Sequence, residues 1–203
     1  MTVIAVFGSG KIDPDEPEYS DAREIGRRLA RAGWAVMTGG YGGLMQAVSQ
    51  GAHEGGGHVI GVTAAQLDAR RRGTNPYVRE EIKTATARER LMHLVMNADA
   101  YIVLPGGIGT FAELANVWEV IRVGDMPAKP ILCYSEFWRR VAFELLTSKY
   151  VTMDHWTTTR FVDTPDQVMD VLHETLLSPK EASDEPYFLS NDLSAGPASG
   201  LAP

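Results

Sequence analysis

Cysteine is almost absent from this chain of 203 residues, whose one thiol belongs to Cys133. A single thiol forms no intramolecular disulfide and no zinc site built on several cysteines, so neither is expected here. The chain also lacks the run of roughly 18–20 apolar residues that predicts a membrane-spanning helix. Its first residues, MTVIAVFGSGK, have no basic leader and turn polar too early for a signal peptide. We therefore expect a cytoplasmic protein without a membrane partner.

Excess positive charge is missing as well. The chain has 19 Lys and Arg residues against 26 Asp and Glu residues, which gives a net charge of −7. Proteins that bind a nucleic-acid backbone normally present a basic face, so no nucleic-acid partner is expected. A small anionic ligand remains compatible with this balance, because a few arginines and backbone N–H groups are enough to hold one.

Short apolar runs alternate with longer amphipathic segments along most of the chain. This βαβα order predicts a doubly wound α/β fold, in which helices cover both faces of a parallel sheet. The predicted strands are 3–7, 35–38, 58–62, 101–104 and 130–134. The predicted helices are 20–32, 43–54, 85–97, 110–122, 136–149 and 165–177.

Two polar segments have no such pattern. Residues 64–77 are rich in turn formers and are predicted to form a loop over the site. The chain after residue 178 is rich in Ser, Pro, Ala and acidic residues, a composition typical of disorder. We therefore expect a single folded domain over residues 1–178 and a disordered tail over 179–203.

Three glycine-rich turns follow predicted strands: GSG at 8–10, GGYGG at 39–43 and PGGIGT at 105–110. Ligands of doubly wound sheets bind at the carboxyl ends of the strands, where these turns would meet. Glycine lets the backbone approach a ligand without interference from a Cβ atom. The candidate ligand contacts in the first two turns are Gly8, Ser9, Gly39, Gly40, Gly42 and Gly43.

The third turn joins a buried strand to a helix. This arrangement places several N–H groups and the positive end of a helix dipole around one anion. Glu113 then falls in the first turn of that helix, where a carboxylate is a poor neighbour for a phosphate but a good one for a sugar or a base. The pattern predicts a nucleotide that is held at its phosphate and acted on at its other end.

Other nucleotide chemistries are not expected. No turn contains the Gly-Lys-Ser/Thr sequence of a P-loop, which argues against hydrolysis of a nucleoside triphosphate. The first turn lacks the full dinucleotide fingerprint, which argues against NAD. A monophosphate held by backbone N–H groups needs neither magnesium nor another cofactor. Pyridoxal chemistry is not expected either, because only Lys11 among the lysines adjoins a glycine turn and no cofactor partner accompanies it.

The order of these motifs, GSG, then GGYGGLM, then RERxxxLxxxADAYIVLPGGIGTFAEL, resembles the LOG family of cytokinin riboside 5′-monophosphate phosphoribohydrolases. The resemblance extends from about residue 3 to residue 177. It implies hydrolysis of the N-glycosidic bond of a purine nucleoside 5′-monophosphate, of the cytokinin or AMP type, to the free base and ribose 5-phosphate. It also implies a homodimer or a higher homo-oligomer. Matching the family's motifs assigns phosphate binding to Gly106, Gly107, Gly109 and Thr110, and essential roles to Glu113 and Arg90.

The sequence departs from the family's pattern at three positions. Leu91 stands where the family has lysine, Arg88 where it has histidine, and Ala112 where it has the first of two acids. These departures leave two alternatives open, a non-catalytic carrier of a nucleotide or phosphorylated cofactor and a broader 5′-nucleotide nucleosidase. Spacing alone does not decide whether Arg90 faces the same cleft as Glu113 or lies in a solvated charged turn.

The base pocket is the least defined part of the predicted site. Placement near the glycine turns makes some Met and aromatic side chains candidates, although such residues at helical spacing more often belong to the core. These candidates are Tyr41, Met45, Met92 and Trp118.

Overall fold

Strands and helices alternate along residues 1–67, 73–151 and 158–177, which are the residues that this computed structural model describes. The strands are β1 (Val3–Phe7), β2 (Ala35–Thr38), β3 (Val59–Ala64), β4 (Glu80–Thr84), β5 (Ala100–Val103), β6 (Ile131–Tyr134) and β7 (Thr159–Val162). The helices are α1 (Pro17–Arg31), α2 (Leu44–Glu54), α3 (Ala87–Met96), α4 (Ile108–Arg122), α5 (Glu136–Leu146) and α6 (Pro165–Leu177).

All these strands pair in parallel in one sheet, in the order β4-β3-β2-β1-β5-β6-β7. The prediction of a doubly wound, Rossmann-like α/β fold is confirmed. The strand order reverses at β1, which pairs with β2 on one side and with β5 on the other. Doubly wound sheets open a crevice beyond the carboxyl ends of the strands at such a reversal.

Two strands were not predicted from the sequence, β4 and β7, and both lie at the edges of the sheet. The sequence of β4, EEIKT, is polar because its side chains are largely exposed, so it lacks the apolar signal of a buried strand. The prediction of a loop over residues 64–77 is wrong at its start, where Ala64 belongs to β3 and residues 65–67 are helical. Residues 73–77 contain neither helix nor strand, as predicted, and Asn75 is buried against the second glycine turn. Residues 68–72 lie outside the described residues.

The six predicted helices are confirmed, with shifts at their ends. The largest shifts are three residues, at the start of α1 and at the end of α5. None of the helices in the described residues is long and apolar enough to cross a lipid bilayer. The predicted tail lies outside the described residues.

The core has one layer on each face of the sheet, because alternate residues of a strand point to opposite faces. In β1, Ile4 and Val6 pack in the layer with α1, α2 and α6, and Phe7 packs in the layer with α3, α4 and α5. Apolar side chains thus cover both faces of β1, which explains why the central strands were predicted as continuous apolar runs.

Helices α1 and α2 touch backbone to backbone at two glycines. A Cβ atom on Gly51 would lie 1.7 Å from the carbonyl oxygen of Arg23, and one on Gly26 would lie 2.1 Å from the carbonyl oxygen of Val48. No side chain fits in this contact. The contact fixes the position of α2, whose first turn leads out of the second glycine turn.

We expect Gly51→Ala to lower the stability of the protein. Alanine normally stabilises a helix relative to glycine by about 1 kcal/mol, but here the added methyl group meets backbone that has no room to move. The net loss should be roughly 1–3 kcal/mol, the range for overpacked interiors. Thermal unfolding would report it as a fall in Tm of several degrees.

Gly109→Ala is the matched control, because Gly109 is also helical but has open space where its Cβ atom would be. Its Tm should be unchanged or slightly higher. Equal Tm values for the two variants would contradict the close packing of α1 and α2.

Candidate functional site

A cleft of about 200 Å³ opens beyond the carboxyl ends of β1 and β5, where the strand order reverses. Its lining contains backbone from the first and third glycine turns together with side chains from α2, α3 and α4. The described lining residues are Gly8, Ser9, Gly10, Lys11, Met45, Arg90, Gly107, Gly109, Thr110 and Glu113. Gly10 and Lys11 were not among the predicted contacts, while the others were.

Backbone hydrogen bonds join the three glycine turns. The N–H of Ser9 donates to the carbonyl of Pro105 over 3.0 Å, and the N–H of Leu44 donates to the carbonyl of Ser9 over 2.8 Å. At Gly43, φ is +65° and a Cβ atom would lie 2.3 Å from the Ser9 carbonyl oxygen, so only glycine allows this approach. The first turn is therefore held between the other two.

The third turn begins α4 two residues earlier than predicted. Gly107 is the N-cap residue, and the first helical hydrogen bond runs from the Phe111 N–H to the Gly107 carbonyl over 3.0 Å. The N–H groups of residues 108–110 belong to the first turn, where amides have no acceptor within the helix. Gly107 and Gly109 have open space at their Cβ positions, so this end of the helix is accessible to a ligand.

Gly106 has a different role from its neighbours. A Cβ atom there would lie 2.2 Å from the hydroxyl oxygen of Thr110. Thr110 is 4% exposed and lines the cleft, whereas Gly106 is not among the described lining residues. Gly106 thus makes room for the threonine side chain beneath the turn.

Arg90 faces the same cleft as Glu113, which answers the question that the sequence left open. Arg90 Nη1 lies 3.3 Å from Glu113 Oε1, and the two side chains are only 11% and 12% exposed. Arg90 Nε also donates to the carbonyl of Val62 at 2.8 Å. Since water screens such a pair little, removing either partner would leave a poorly solvated charge.

The second glycine turn lies behind Arg90. A Cβ atom on Gly39 would lie 1.6 Å from Arg90 Nη2, so the guanidinium occupies space that only glycine leaves free. The ring of Tyr41 forms the next surface, with its centroid 5.5 Å from Arg90 Cζ. The four glycines of this turn, Gly39, Gly40, Gly42 and Gly43, are not among the described lining residues.

Only some of the candidates for the base pocket reach the cleft. Met45 lines the cleft, and Tyr41 is buried beneath Arg90. Met92 packs against the core, and Trp118 lines a separate apolar groove and donates from its indole to the hydroxyl of Thr159 at 3.0 Å. The structure does not bring Met92 or Trp118 to the cleft.

Besides Gly10, two residues near the site were missed. Lys11 lines the cleft, and Asn75 binds the second glycine turn from behind. The dipeptide Asn75-Pro76 is a turn signal that marks a structured position in the polar segment. No sequence signal links it to Arg90, because that link depends on how β3 and β4 pair.

Outside this cleft, the titratable groups of the described residues do not form a second candidate metal or catalytic site. Among those residues, no group of three or more His, Cys, Asp or Glu side chains is arranged to hold a metal ion. Cys133 is fully buried in β6, and its burial raises the pKa of the thiol well above the usual range. It therefore stays protonated and is not a candidate nucleophile.

A seven-stranded parallel sheet flanked by helices, with a cleft at the reversal of the strand order, defines the class of doubly wound, Rossmann-like α/β domains. A family model described as the SLOG cluster4 family matches residues 1–150. The chain belongs to this family. The resemblance to LOG proteins is confirmed.

LOG2 of Arabidopsis thaliana, a cytokinin riboside 5′-monophosphate phosphoribohydrolase, is 40% identical over 128 residues, which cover 61% of this chain and 59% of that protein. The chain thus spans about three-fifths of the length of this curated relative. The crystal structure of TM1055, a structural-genomics target, has a TM-score of 0.71 and 25% identity over 86% of this chain and 99% of that one. The molybdenum cofactor binding protein of Rippkaea orientalis has a TM-score of 0.68 and 22% identity over 85% of this chain and 96% of that one, which shows a shared fold.

We expect Gly39→Ala to displace the Arg90 guanidinium from Glu113. The atom that the new methyl group meets is the end of a flexible side chain, so the fold should survive. Base release from a nucleoside 5′-monophosphate, the reaction that the resemblance implies, should slow about tenfold, which corresponds to about 1.4 kcal/mol. Initial rates with AMP would measure this change, and a melting curve would confirm folding.

Gly42→Ala is the control in the same turn, because its Cβ atom would make only an ordinary contact of 3.9 Å with the Gly10 carbonyl oxygen. It should release base from AMP as fast as the unmodified protein does. An undiminished rate for Gly39→Ala would show that the position of Arg90 does not depend on this glycine.

Proposed function

We propose that this protein hydrolyses the N-glycosidic bond of a purine nucleoside 5′-monophosphate, of the cytokinin or AMP type. One observation carries the proposal: the N-terminus of α4 and the Arg90–Glu113 pair open on the same cleft. Membership of the family and the similarity to LOG2 support it. The shared segment covers only part of the relatives, so their activity comes to this chain as a proposal.

The phosphate end of the site is built from backbone. The N–H groups of residues 108–110 and the hydroxyl of Thr110 bind the 5′-phosphate, with the helix dipole favouring negative charge there. Lys11 lines the same cleft from the first turn and adds a cation. Because backbone donors supply most of this binding, the phosphate needs no metal ion to be held.

The sugar end of the site is built from side chains. Glu113 lies three residues beyond Thr110, about 4.5 Å further along the helix axis, so the ribose extends from the phosphate toward its carboxylate. As the bond from C1′ to the base nitrogen breaks, its electron pair leaves with the base and positive charge develops on the ribose. The Glu113 carboxylate stabilises that charge and accepts a proton from the attacking water. The water oxygen forms the new bond to C1′, and the proton that Glu113 accepted passes through solvent to the base nitrogen, which restores the carboxylate.

Arg90 has two of its donors engaged in the structure, one with Val62 and one with Glu113. This favours a role in fixing the carboxylate. The alternative roles for Arg90, neutralising charge on the departing base or holding the phosphate, would draw on the other three of its five N–H donors.

The departures from the family's pattern do not fall on the cleft. Leu91, in α3, packs against the core, and neither Arg88 nor Ala112 is among the described lining residues. The carbonyl of Ala112 accepts a hydrogen bond from Asn116 within α4. None of the three changes removes a group from the phosphate end or from the Arg90–Glu113 pair, which favours a hydrolase over a carrier.

A panel of nucleotides tests the proposal directly. The purified protein is incubated with AMP, GMP, CMP, isopentenyladenosine monophosphate and adenosine, and free base is measured by chromatography. Base from the purine monophosphates alone, with adenosine a much poorer substrate, supports the proposal, because phosphate binding positions the ribose. Equal release from CMP favours a broader nucleosidase. No release together with tight AMP binding favours a carrier.

We expect Glu113→Gln to lower the rate of base release about 10²–10⁴-fold, the range for loss of a group that transfers a proton. The amide is nearly isosteric but neither carries the negative charge nor accepts the proton. Initial rates with the best substrate of the panel would measure the loss.

Glu119→Gln makes the same chemical change two turns further along α4, outside the cleft, where Glu119 pairs with Arg122 on the surface. It should retain the full rate. Full turnover by Glu113→Gln would exclude Glu113 from the chemistry.

We also propose that the protein forms a homodimer or a higher homo-oligomer in the cytoplasm, as the resemblance to the LOG family implies. Ile108 supports this, because its side chain is 84% exposed at the start of α4, beside the cleft. Light scattering should give at least twice the chain mass of 22.2 kDa. A mass of one chain at working concentration would contradict the proposal.

A further inference from the structure

We propose that Asn75 is a positioning residue of this site, which holds Arg90 in place through the second glycine turn. The inference rests on the proposed function for its kinetic readout. It assigns a task to a residue that does not line the cleft and that no glycine motif contains. The structural path runs from Asn75 to Tyr41, then to Arg90, and from there to Glu113.

Asn75 is 7% exposed and binds the second glycine turn with its backbone and its side chain. Its N–H donates to the carbonyl of Gly40 at 2.8 Å. Its side-chain Nδ2 donates to the carbonyls of Gly40 and Tyr41, at 3.2 and 3.1 Å. Its Oδ1 accepts from the N–H of Tyr77 at 3.1 Å. An amide side chain meets these demands because it carries donors on one side and an acceptor on the other.

The turn that Asn75 holds determines where Arg90 lies. The Tyr41 ring beneath the guanidinium is fixed at its other end, where its hydroxyl accepts from the N–H of Ala64 at 3.1 Å. Gly39, in the same turn, leaves the space that the guanidinium fills. A shift of the turn would therefore move the surface on which Arg90 rests and change its distance to Glu113.

Position in the fold explains why this task falls to Asn75. The described end of the connection between β3 and β4, residues 73–79, leads into the edge strand β4, and the N–H of Arg79 donates to the carbonyl of Val59 at 3.0 Å. Val62 in β3 supplies the carbonyl that binds Arg90 Nε. The strand that binds the arginine and the turn that lies behind it are thus both tied to this connection.

A residue that only stabilises the fold would lower Tm without selective effect on the chemistry. A residue that acts through Arg90 should lower kcat while KM for a monophosphate changes little, because the phosphate end belongs to α4. Its effect should also depend on Arg90, since residues in one network give non-additive effects.

Asn75→Asp is the informative variant. It keeps the shape and the acceptor for Tyr77 but replaces the donors to Gly40 and Tyr41 with a carboxylate oxygen that repels those carbonyls. We expect kcat for AMP to fall about 10- to 100-fold, the scale of a misplaced catalytic group. KM should change less than about threefold, as expected when ground-state binding is preserved.

Asn97→Asp is the matched control. Asn97 lies at the far end of α3, and its Nδ2 donates to the carbonyl of His93 at 3.0 Å. The variant makes the same chemical change and also removes a hydrogen bond to a carbonyl, but far from the second glycine turn. It should leave kcat and KM unchanged.

A double-mutant cycle with Arg90→Lys tests whether Asn75 acts through Arg90. The effect of Asn75→Asp on kcat, and its shift in Tm, should be clearly smaller in the Arg90→Lys background than in the unmodified protein. Additive effects, or a lower Tm with unchanged kcat, would overturn the proposal. If Asn75→Asp does not fold, Asn75→Ser, which keeps one donor, takes its place in the same cycle.

The cycle also separates this inference from the proposed function. Absence of base release by the unmodified protein, from every nucleotide in the panel, would contradict the proposed function alone. The Tm shifts of the same four proteins would then test the coupling of Asn75 to Arg90. Additive Tm shifts would overturn the inference.

Discussion

The arrangement of the three glycine turns around the cleft depends on the peptide groups of Ser9. The N–H of this residue binds the turn after β5, and its carbonyl binds the first residue of α2. Two backbone hydrogen bonds thereby fix three glycine turns relative to one another at the reversal of the strand order. Any side chain at Gly43 would force the second turn away from the first. Main-chain contacts therefore determine how the three turns around the cleft are placed relative to one another.

The two ends of the cleft use different kinds of groups. Under the proposed function, backbone N–H groups at the start of α4 form the phosphate end, and their directions are set by the helix itself. The proposed sugar end depends on Arg90 and Glu113, which come from α3 and α4 and meet across the cleft. The pair requires that Arg90 be held in position. Val62 and Tyr41 contact Arg90 on the side away from Glu113.

Patterns that repeat along the sequence made much of the fold and part of the candidate site predictable. Apolar runs and helical spacing predicted the parallel sheet, its central strands and its six helices. The edge strand β4 was not predicted, because a strand exposed to solvent lacks the apolar pattern of a buried one. The glycine turns were predicted, but the clearance that Gly39 gives Arg90 depends on two segments far apart in sequence. The direction of Arg90 and the contacts of Asn75 were unpredictable for the same reason, since they exist only once β3 and β4 have paired.

A carboxylate one turn from a phosphate site would ordinarily repel its own ligand. Arg90 lies against Glu113 with both side chains largely buried, so their opposite charges offset one another at short range. Under the proposed function, an arriving phosphate dianion would therefore meet the field of the helix terminus and of Lys11, rather than that of a bare acid. The pairing would then let one small cleft contain an anion receptor and a base without repulsion between the base and the ligand.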